Sequence, residues 1–187
     1  TCEMVTELVQ YIEDDVRINK LTAEGLLAGI SLDTKNFAFK TGVRTFEAAS
    51  YLKKSGADTI EVKKLFNSDI KDFITKAEII QNAKVINNNI CLAYTKTETD
   101  NINIVIAQAA DELLNIKEVE ASFVLARKDD RVFISARSLG NINVHVLMEN
   151  LGGGGHRDMA GAQLDTSLEK AYEMVKDTIQ TYIKEEE

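Results

Sequence analysis

In the second half of the chain, residues 121–138 read ASFVLARKDDRVFISARS, and this segment gives the clearest indication of the local fold. It begins with an apolar run of strand length, turns at the polar residues 128–130, and continues as RVFISAR. Along this second run, successive side chains must point to opposite faces of a strand. One face carries Arg131, Phe133, Ser135 and Arg137, and the other carries Val132, Ile134 and Ala136. The stretch therefore predicts a β-hairpin.

The segments on either side of this hairpin predict a mixture of strands and helices. ICLAY at 90–94 is a further apolar run of strand length, and the stretch around IAQAADELLNI, which separates it from the hairpin, has helical spacing. NINVHVLMENL at 141–151 predicts a helix packed through Ile142, Val146 and Leu147. Ser167 is expected to cap a final helix.

The first third of the chain has a different pattern and is expected to be mainly helical. Apolar residues 4, 8 and 12 form a stripe at helical spacing. Thr22, Thr45 and Asp58 are expected to cap the helices that follow, with Glu61 completing a capping box beside Asp58.

The change of pattern divides the chain. Ser68 is expected to open a helix that fades into the polar residues 87–89. We therefore expect a helical unit at residues 1–66, a connecting helix at 67–88, and a mixed domain at 89–187. The predicted fold class is α/β with an α+β texture, in which a small sheet lies in the last of these parts.

The composition excludes several classes of protein. With 187 residues, 44% of them apolar, the chain can bury a core and is not a disordered tail. Its 22 basic and 30 acidic residues give a net charge of −8, which does not suit general attraction to nucleic acid. No run approaches the ~18 apolar residues of a membrane span. The two cysteines are far apart and match no zinc motif, which indicates a reduced cytosolic setting.

The most informative motif is LGGGGHRDMAGAQL, residues 151–164, where four glycines lead directly into His156. Glycine loses the most conformational freedom on folding, so such a run suits a backbone that takes positive φ or approaches a neighbour closely. Exposed amides in such a turn can cradle a phosphate, and His156 can donate a hydrogen bond to it. The alternative is a flexible loop with an ordinary histidine.

A second motif, ISARS at 134–138, ends the predicted hairpin with Arg137 and Ser138, two donors suited to phosphate. Between Arg127 and Arg157, five basic residues accompany three acidic ones, so this region has a local charge of +2. The alternative for Arg137 is a surface arginine that pairs with a nearby acid.

A third motif, GISLDTKNF at 29–37, places Asp33 where an apolar segment gives way to a polar turn. A carboxylate there suits Mg²⁺ or Mn²⁺, and the alternative is an Asp that caps a helix or turn. One carboxylate cannot hold a catalytic metal pair, and the first 144 residues contain no histidine. The chain is therefore expected to lack most of such a site.

With these motifs, the chain resembles the C-terminal part of a DHH phosphoesterase followed by its DHH-associated domain. GGGGHRDMAGAQ and SARS are similar to that domain's substrate-binding motifs. The bacterial cyclic di-AMP phosphodiesterase subfamily is the closest resemblance, through residues 32–58, AADELL at 109–114, and ISARSLGNINV. The resemblance implies that the helical unit is a remnant of the DHH domain.

The resemblance also implies roles for particular residues. Asp33 matches the family's last metal-binding aspartate, a ligand to one of two Mn²⁺ ions. The implied substrate grip consists of Arg137, Ser138, Gly153, Gly154, Gly155 and His156. The family's Asp-x-Asp and Asp-His-His motifs are absent from this sequence. We therefore expect a fragment that is inactive alone and that pairs with the missing N-terminal half of the DHH domain, while membrane anchoring belongs to the whole protein.

The implied reaction is hydrolysis of cyclic di-AMP to the linear dinucleotide, with this chain supplying substrate binding in the cytoplasm. Short oligonucleotides or a 3′,5′-bisphosphate nucleotide are alternative substrates within the same superfamily. A module that binds nucleic acid without hydrolysis is a third reading, against which the charge of −8 counts. A structural fragment or homodimerisation unit with an idle glycine loop is the fourth. The sequence leaves these alternatives open.

Overall fold

The computed structural model describes residues 1–12, 18–39, 41–87 and 89–186, with only the backbone described for residues 185–186. The chain divides into two compact units, Thr1–Asn67 and Ser68–Glu187. The predicted α/β class with a small sheet is confirmed. Within the described residues, no helix combines the length and the apolar character that crossing a membrane requires.

The first unit contains four helices in the part of the chain that is described. They are α1 (Cys2–Ile12), α2 (Lys20–Asp33), α3 (Val43–Lys54) and α4 (Thr59–Lys64). Their buried core is formed mainly by Ala23, Leu27, Ile30, Ala48 and Leu52. The prediction of a mainly helical first unit is confirmed.

Two of the predicted caps in this unit were wrong by a few residues. Asn19, not Thr22, caps α2, because its side chain accepts a 2.8 Å hydrogen bond from the Thr22 amide. Thr45 lies inside α3, where its hydroxyl accepts a 3.1 Å hydrogen bond from the amide of the capping residue Gly42.

Asp58 caps α4 as predicted, since its carboxylate accepts a 2.8 Å hydrogen bond from the Ile60 amide. The capping box does not form, because the Asp58 amide donates to Glu24 and Glu61 pairs with Lys64.

The second unit is built on a six-stranded sheet with the order β1-β2-β3-β4-β6-β5. Its strands are β1 (Lys84–Ile86), β2 (Ile90–Thr95), β3 (Ala121–Lys128), β4 (Arg131–Ser138), β5 (Gly154–His156) and β6 (Met159–Leu164). Strands β2 and β3 are parallel, and every other neighbouring pair is antiparallel. The predicted hairpin is confirmed as β3 and β4.

Among the described residues of this unit, four helices cover the two faces of the sheet. They are α5 (Ile70–Gln81), α6 (Ile102–Leu113), α7 (Val144–Glu149) and α8 (Leu168–Glu186). Helices α5 and α6 lie on the face that carries Cys91 and Val124, whereas α7 and α8 lie on the face that carries Phe123 and Ile134. Both cysteines are free, and burial raises the pKa of the Cys91 thiol, so it behaves as a small apolar side chain.

The structure corrects three details of the sequence analysis in this unit. Asp69, not Ser68, caps α5, and α5 belongs to the second unit, so its role as a connector stays a prediction. Val146 is 37% exposed, because the short helix α7 buries Val144, Leu147 and Met148 instead. Part of the glycine run forms the edge strand β5 and is not a loop.

Candidate functional site

Three strands at one end of the sheet bring the predicted grip residues into register. Arg137 on β4 lies opposite Met159 on β6, which in turn lies opposite His156 on β5. We call such a set of register partners across the three strands a row. In the next row on the same face, Ser135 lies opposite Gly161, and Gly161 lies opposite Gly154. Because partners in register point to the same face, Arg137, Gly154 and His156 share one side of the sheet.

On this side the sheet carries a shallow depression of about 320 Å³, which we call the trough. Helix α6 forms its wall, and strands β4, β6 and β5 form its floor. Its lining includes Asn103 on α6, Phe133, Ser135 and Arg137 on β4, Gly154 on β5, and Met159 and Gly161 on β6. A second shallow cavity of about 380 Å³ shares Phe133 and Gly161 with the trough and extends to Gln163.

The Arg137 side chain is only 14% exposed. Its Nε lies 3.6 Å from the Asp111 Oδ2 on α6, and its Nη1 donates a 2.9 Å hydrogen bond to the Ala136 carbonyl oxygen. These contacts agree with the alternative of a paired arginine, and the role of Arg137 in binding phosphate stays a prediction. The guanidinium is held in one place and still lines the trough.

Ser138 does not join Arg137 in the trough, because adjacent residues of a strand point to opposite faces. The Ser138 side chain is buried, accepts a 3.3 Å hydrogen bond from the Gly140 amide, and lies 3.5 Å from the Arg157 carbonyl oxygen. These contacts hold the turn after β4. The structure therefore gives Ser138 a structural position.

The structural requirement for glycine differs between the positions of the glycine run. A Cβ on Gly153 would lie 2.6 Å from the Ala162 Cβ, and a Cβ on Gly155, whose φ is +150°, would lie 2.5 Å from the Ala160 Cα. Both positions require glycine so that β5 can approach β6. A Cβ on Gly154 would meet nothing within 4 Å. Gly154 lies on the floor of the trough, where a side chain would occupy space that is open to a ligand.

His156 is the last residue of β5 and is exposed. Met159 on β6 lies between His156 and Arg137, because it is the register partner of both. The two-residue turn that follows is fixed from both sides. The Arg157 carbonyl accepts a 3.0 Å hydrogen bond from the Val144 amide, and the Asp158 carbonyl accepts a 2.9 Å hydrogen bond from the Ser138 amide. These bonds hold the tip of the β5–β6 hairpin, and with it the backbone of His156, against the end of β4.

Asp33 is the last residue of α2 and is exposed. Thr34, not Asp33, forms the cap, with its hydroxyl donating to the Ile30 carbonyl at 2.7 Å and accepting from the Phe37 amide at 3.0 Å. The three residues 35–37 then take left-handed φ values of 46°, 56° and 66°. Such a run of non-glycine residues is strained by about 1–2 kcal/mol per residue. The backbone beside Asp33 is therefore held in an unusual conformation.

Within the described ranges, no three His, Cys, Asp or Glu side chains are grouped so that they could hold a metal ion. Asp33 lies in the first unit, whereas the trough belongs to the second. The chain thus presents a grip-like surface on the second unit and a candidate ligand, Asp33, on the first.

Sequence reasoning missed several residues of the trough. Ser135 and Phe133 were assigned to the correct face of β4 but given no role. Asn103 and Asp111 lie on α6, at least 20 residues before the second strand of the hairpin, so only the folded chain brings them beside it. Their spacing of eight residues, two turns of one helix face, was the available signal.

Comparison with known proteins finds a family model, curated relatives and a solved structure that match this chain. The family model described as DHHA1 domain matches residues 87–185. The chain is 45% identical over 188 residues to the cyclic-di-AMP phosphodiesterase GdpP of Bacillus subtilis, covering 98% of this chain and 28% of that protein. It is 42% identical over 188 residues to the cyclic-di-AMP phosphodiesterase PdeA of Listeria monocytogenes, covering 100% of this chain and 29% of that protein.

The chain therefore spans little more than a quarter of the length of these relatives. Among solved structures, an exopolyphosphatase-related protein from Bacteroides fragilis matches with a TM-score of 0.85 and 22% sequence identity. That match covers 97% of this chain and 56% of the other, and it supports the fold alone.

Proposed function

Because the chain belongs to the DHHA1 domain family, as the resemblance in its sequence predicted, we propose that its trough is the substrate grip of a cyclic di-AMP phosphodiesterase. The whole protein would hydrolyse the cyclic dinucleotide to a linear dinucleotide, and this chain would bind and orient the substrate. Relatives named as cyclic-di-AMP phosphodiesterases support the choice of substrate.

One observation carries the proposal: Arg137, Gly154 and His156 lie in neighbouring rows on the same open face of the sheet. A phosphate bound over the row that runs from Arg137 through Met159 to His156 would have the guanidinium at one end and the imidazole at the other, with Gly154 in the neighbouring row. The absence of a side chain at Gly154 lets a phosphate approach the backbone closely. The Arg137 guanidinium, being mostly buried, would act in a lower dielectric than a surface cation.

The described residues do not fit a metal ion by themselves, because they contain no group of three ligands. We propose Asp33 as one ligand of the Mn²⁺ pair in the whole protein, with the other ligands supplied by a part outside this chain. The left-handed backbone at residues 35–37 supports a special role for this position, since such strain is found at functional sites. In this proposal the chain alone binds substrate and does not cleave it.

We also propose that the apolar face of α1 is covered by a preceding part of the whole protein. This face is formed by Met4, Leu8 and Tyr11, which are 66%, 61% and 87% exposed. Apolar side chains exposed at this spacing are typical of an interface. The alternative occupant is a second copy of the chain, which would give a concentration-dependent dimer that Leu8→Glu abolishes in light scattering.

Isothermal titration calorimetry of the 187-residue chain with cyclic di-AMP tests the grip. Arg137→Ala is expected to weaken binding by at least tenfold, since a charge-assisted bond in a partly buried site contributes about 1.5–3 kcal/mol. Arg131→Ala is the matched control, because Arg131 is on the same strand face but pairs with Asp165 at 2.9 Å and is exposed.

Equal affinities of wild type and Arg137→Ala would contradict the proposal. Tighter binding of a short oligonucleotide or a 3′,5′-bisphosphate nucleotide would move the assignment to another substrate of the same superfamily. Hydrolysis of cyclic di-AMP by this chain in the presence of Mn²⁺ would show that the metal assignment is wrong.

A further inference from the structure

The end of the trough away from Arg137 is chemically different from the phosphate end. Phe133 lies on the same face of β4, four residues before Arg137, which places the two Cα atoms about 13 Å apart along the strand. The Phe133 side chain is half-buried and lines both shallow cavities. An aromatic surface is therefore open to the trough at this end.

The floor between these two ends is nearly free of side chains. The middle row consists of Ser135, Gly161 and Gly154, so β6 and β5 contribute only backbone there. A Cβ on Gly161 would lie 2.8 Å from the Ile134 carbonyl oxygen, so packing requires this glycine. Gly154 has no such requirement. In this row, no side chain of β6 or β5 obstructs a sugar that would connect a phosphate to a base.

The wall runs beside the floor over the same length. Asn103 lines the trough together with Phe133, and Asp111 contacts Arg137 at the other end. The eight residues between Asn103 and Asp111 span about 12 Å of helix, which matches the distance between Phe133 and Arg137. Asn103 is exposed, so its amide stands at the aromatic end of the trough.

We propose that one nucleotide of the substrate lies along the trough with its phosphate at Arg137 and its base stacked on Phe133, where the Asn103 amide contacts the base edge. This inference rests on the proposed function and adds base recognition to it. A side-chain amide offers one donor and one acceptor, which matches the N7 acceptor and N6 donor of adenine. Guanine and hypoxanthine present two acceptors at the same positions and match the amide less well.

Binding measurements on the 187-residue chain with cyclic di-AMP and cyclic di-inosine monophosphate test the proposal, since on the N7 edge of the base these ligands differ only in the group at the purine 6-position. Phe133→Leu keeps an apolar side chain but removes the aromatic ring. We expect it to lower the affinity for both ligands by about tenfold, within the range for base–aromatic stacking. Asn103→Ala is expected to lower the affinity for cyclic di-AMP by about tenfold and the affinity for cyclic di-inosine monophosphate much less. The ratio of the two affinities, which measures the preference for adenine, should therefore fall.

The matched control for Asn103 is Asn115→Ala, an exposed asparagine just beyond the end of α6, which should change neither affinity. Thermal unfolding midpoints check that each variant is folded, and Phe133→Met replaces Phe133→Leu if the leucine variant is not. If these substitutions leave both affinities unchanged while Arg137→Ala weakens binding, the base lies elsewhere and the phosphate grip stands. If the wild-type chain does not bind cyclic di-AMP, the proposed function fails as well.

Discussion

The Nε of Arg137 lies 3.6 Å from the Oδ2 of Asp111, so α6 holds a negative charge against the cation of the proposed phosphate site. This carboxylate neutralises a mostly buried guanidinium in the free chain. A bound phosphate would meet both the attraction of Arg137 and the repulsion of Asp111.

Asp111→Asn is therefore expected to tighten binding of cyclic di-AMP by about fivefold, because removing the charge is worth on the order of 1 kcal/mol while the amide still positions Arg137. Titration calorimetry at two salt concentrations measures the effect, which should be larger at low salt. Glu112→Gln removes the same charge one residue later on an exposed position and should leave the affinity unchanged. Weaker binding by Asp111→Asn would instead show that the carboxylate serves the site.

Gly154 and Gly155 are neighbours whose substitutions should have opposite consequences. Gly154→Ala places a methyl group in the open trough and should weaken ligand binding by about tenfold without loss of stability. Gly155→Ala should destabilise the second unit by about 2–3 kcal/mol, because its φ of +150° and its contact with Ala160 both oppose a Cβ.

Thermal unfolding and ligand titration of the two variants separate these effects. If the Gly154→Ala variant has a lower unfolding temperature than the wild type and binds the ligand with the same affinity, the assignment of Gly154 to the floor of the trough is wrong.

Ser138 is expected to matter for stability and not for binding. Ser138→Ala removes the acceptor of the Gly140 amide and should cost about 1 kcal/mol. Its affinity for cyclic di-AMP should equal that of the wild type, as measured by the same titration. A loss of affinity comparable with that of Arg137→Ala would restore Ser138 to the substrate grip.

The turn between β3 and β4 offers a test of backbone conformation. Asp129 has a φ of 54°, a value that favours glycine at the first position of a two-residue hairpin turn. Asp129→Gly should therefore raise the free energy of unfolding by about 0.5–1 kcal/mol. Asp130→Gly removes the same charge at the next residue, which does not have a positive φ, and should destabilise the turn. Denaturant unfolding followed by circular dichroism distinguishes the two variants.

The β3–β4 hairpin could be predicted from the sequence because its alternation reflects a local rule, the opposite directions of successive side chains. The same rule places the side chains of the adjacent residues Arg137 and Ser138 on opposite faces of the sheet. The sequence analysis nevertheless grouped the two residues, because they belong to one motif. Strand β5 could not be predicted, because glycine has little strand preference and the pairing with β6 depends on close approach of two backbones.

The wall of the trough was out of reach for a different reason. Asn103 and Asp111 acquire their positions only when α6 packs across the sheet, and no local pattern records which strand they will face. Asp33 could be named from its motif as a candidate metal ligand, but an aspartate that caps a helix or turn explained the same pattern, and only the resemblance favoured the ligand. The left-handed backbone of residues 35–37 is not visible in the sequence.

The bare middle row of β6 and β5 has a consequence for how this fold can diversify. The backbone atoms of this row are the same for every amino acid. A point mutation of these glycines therefore can only add a side chain that fills the floor of the trough. An inherited change in which ligand is accepted is then expected on α6, on β4 or at the side chains of the neighbouring row, Met159 and His156, while the glycines of the middle row are kept.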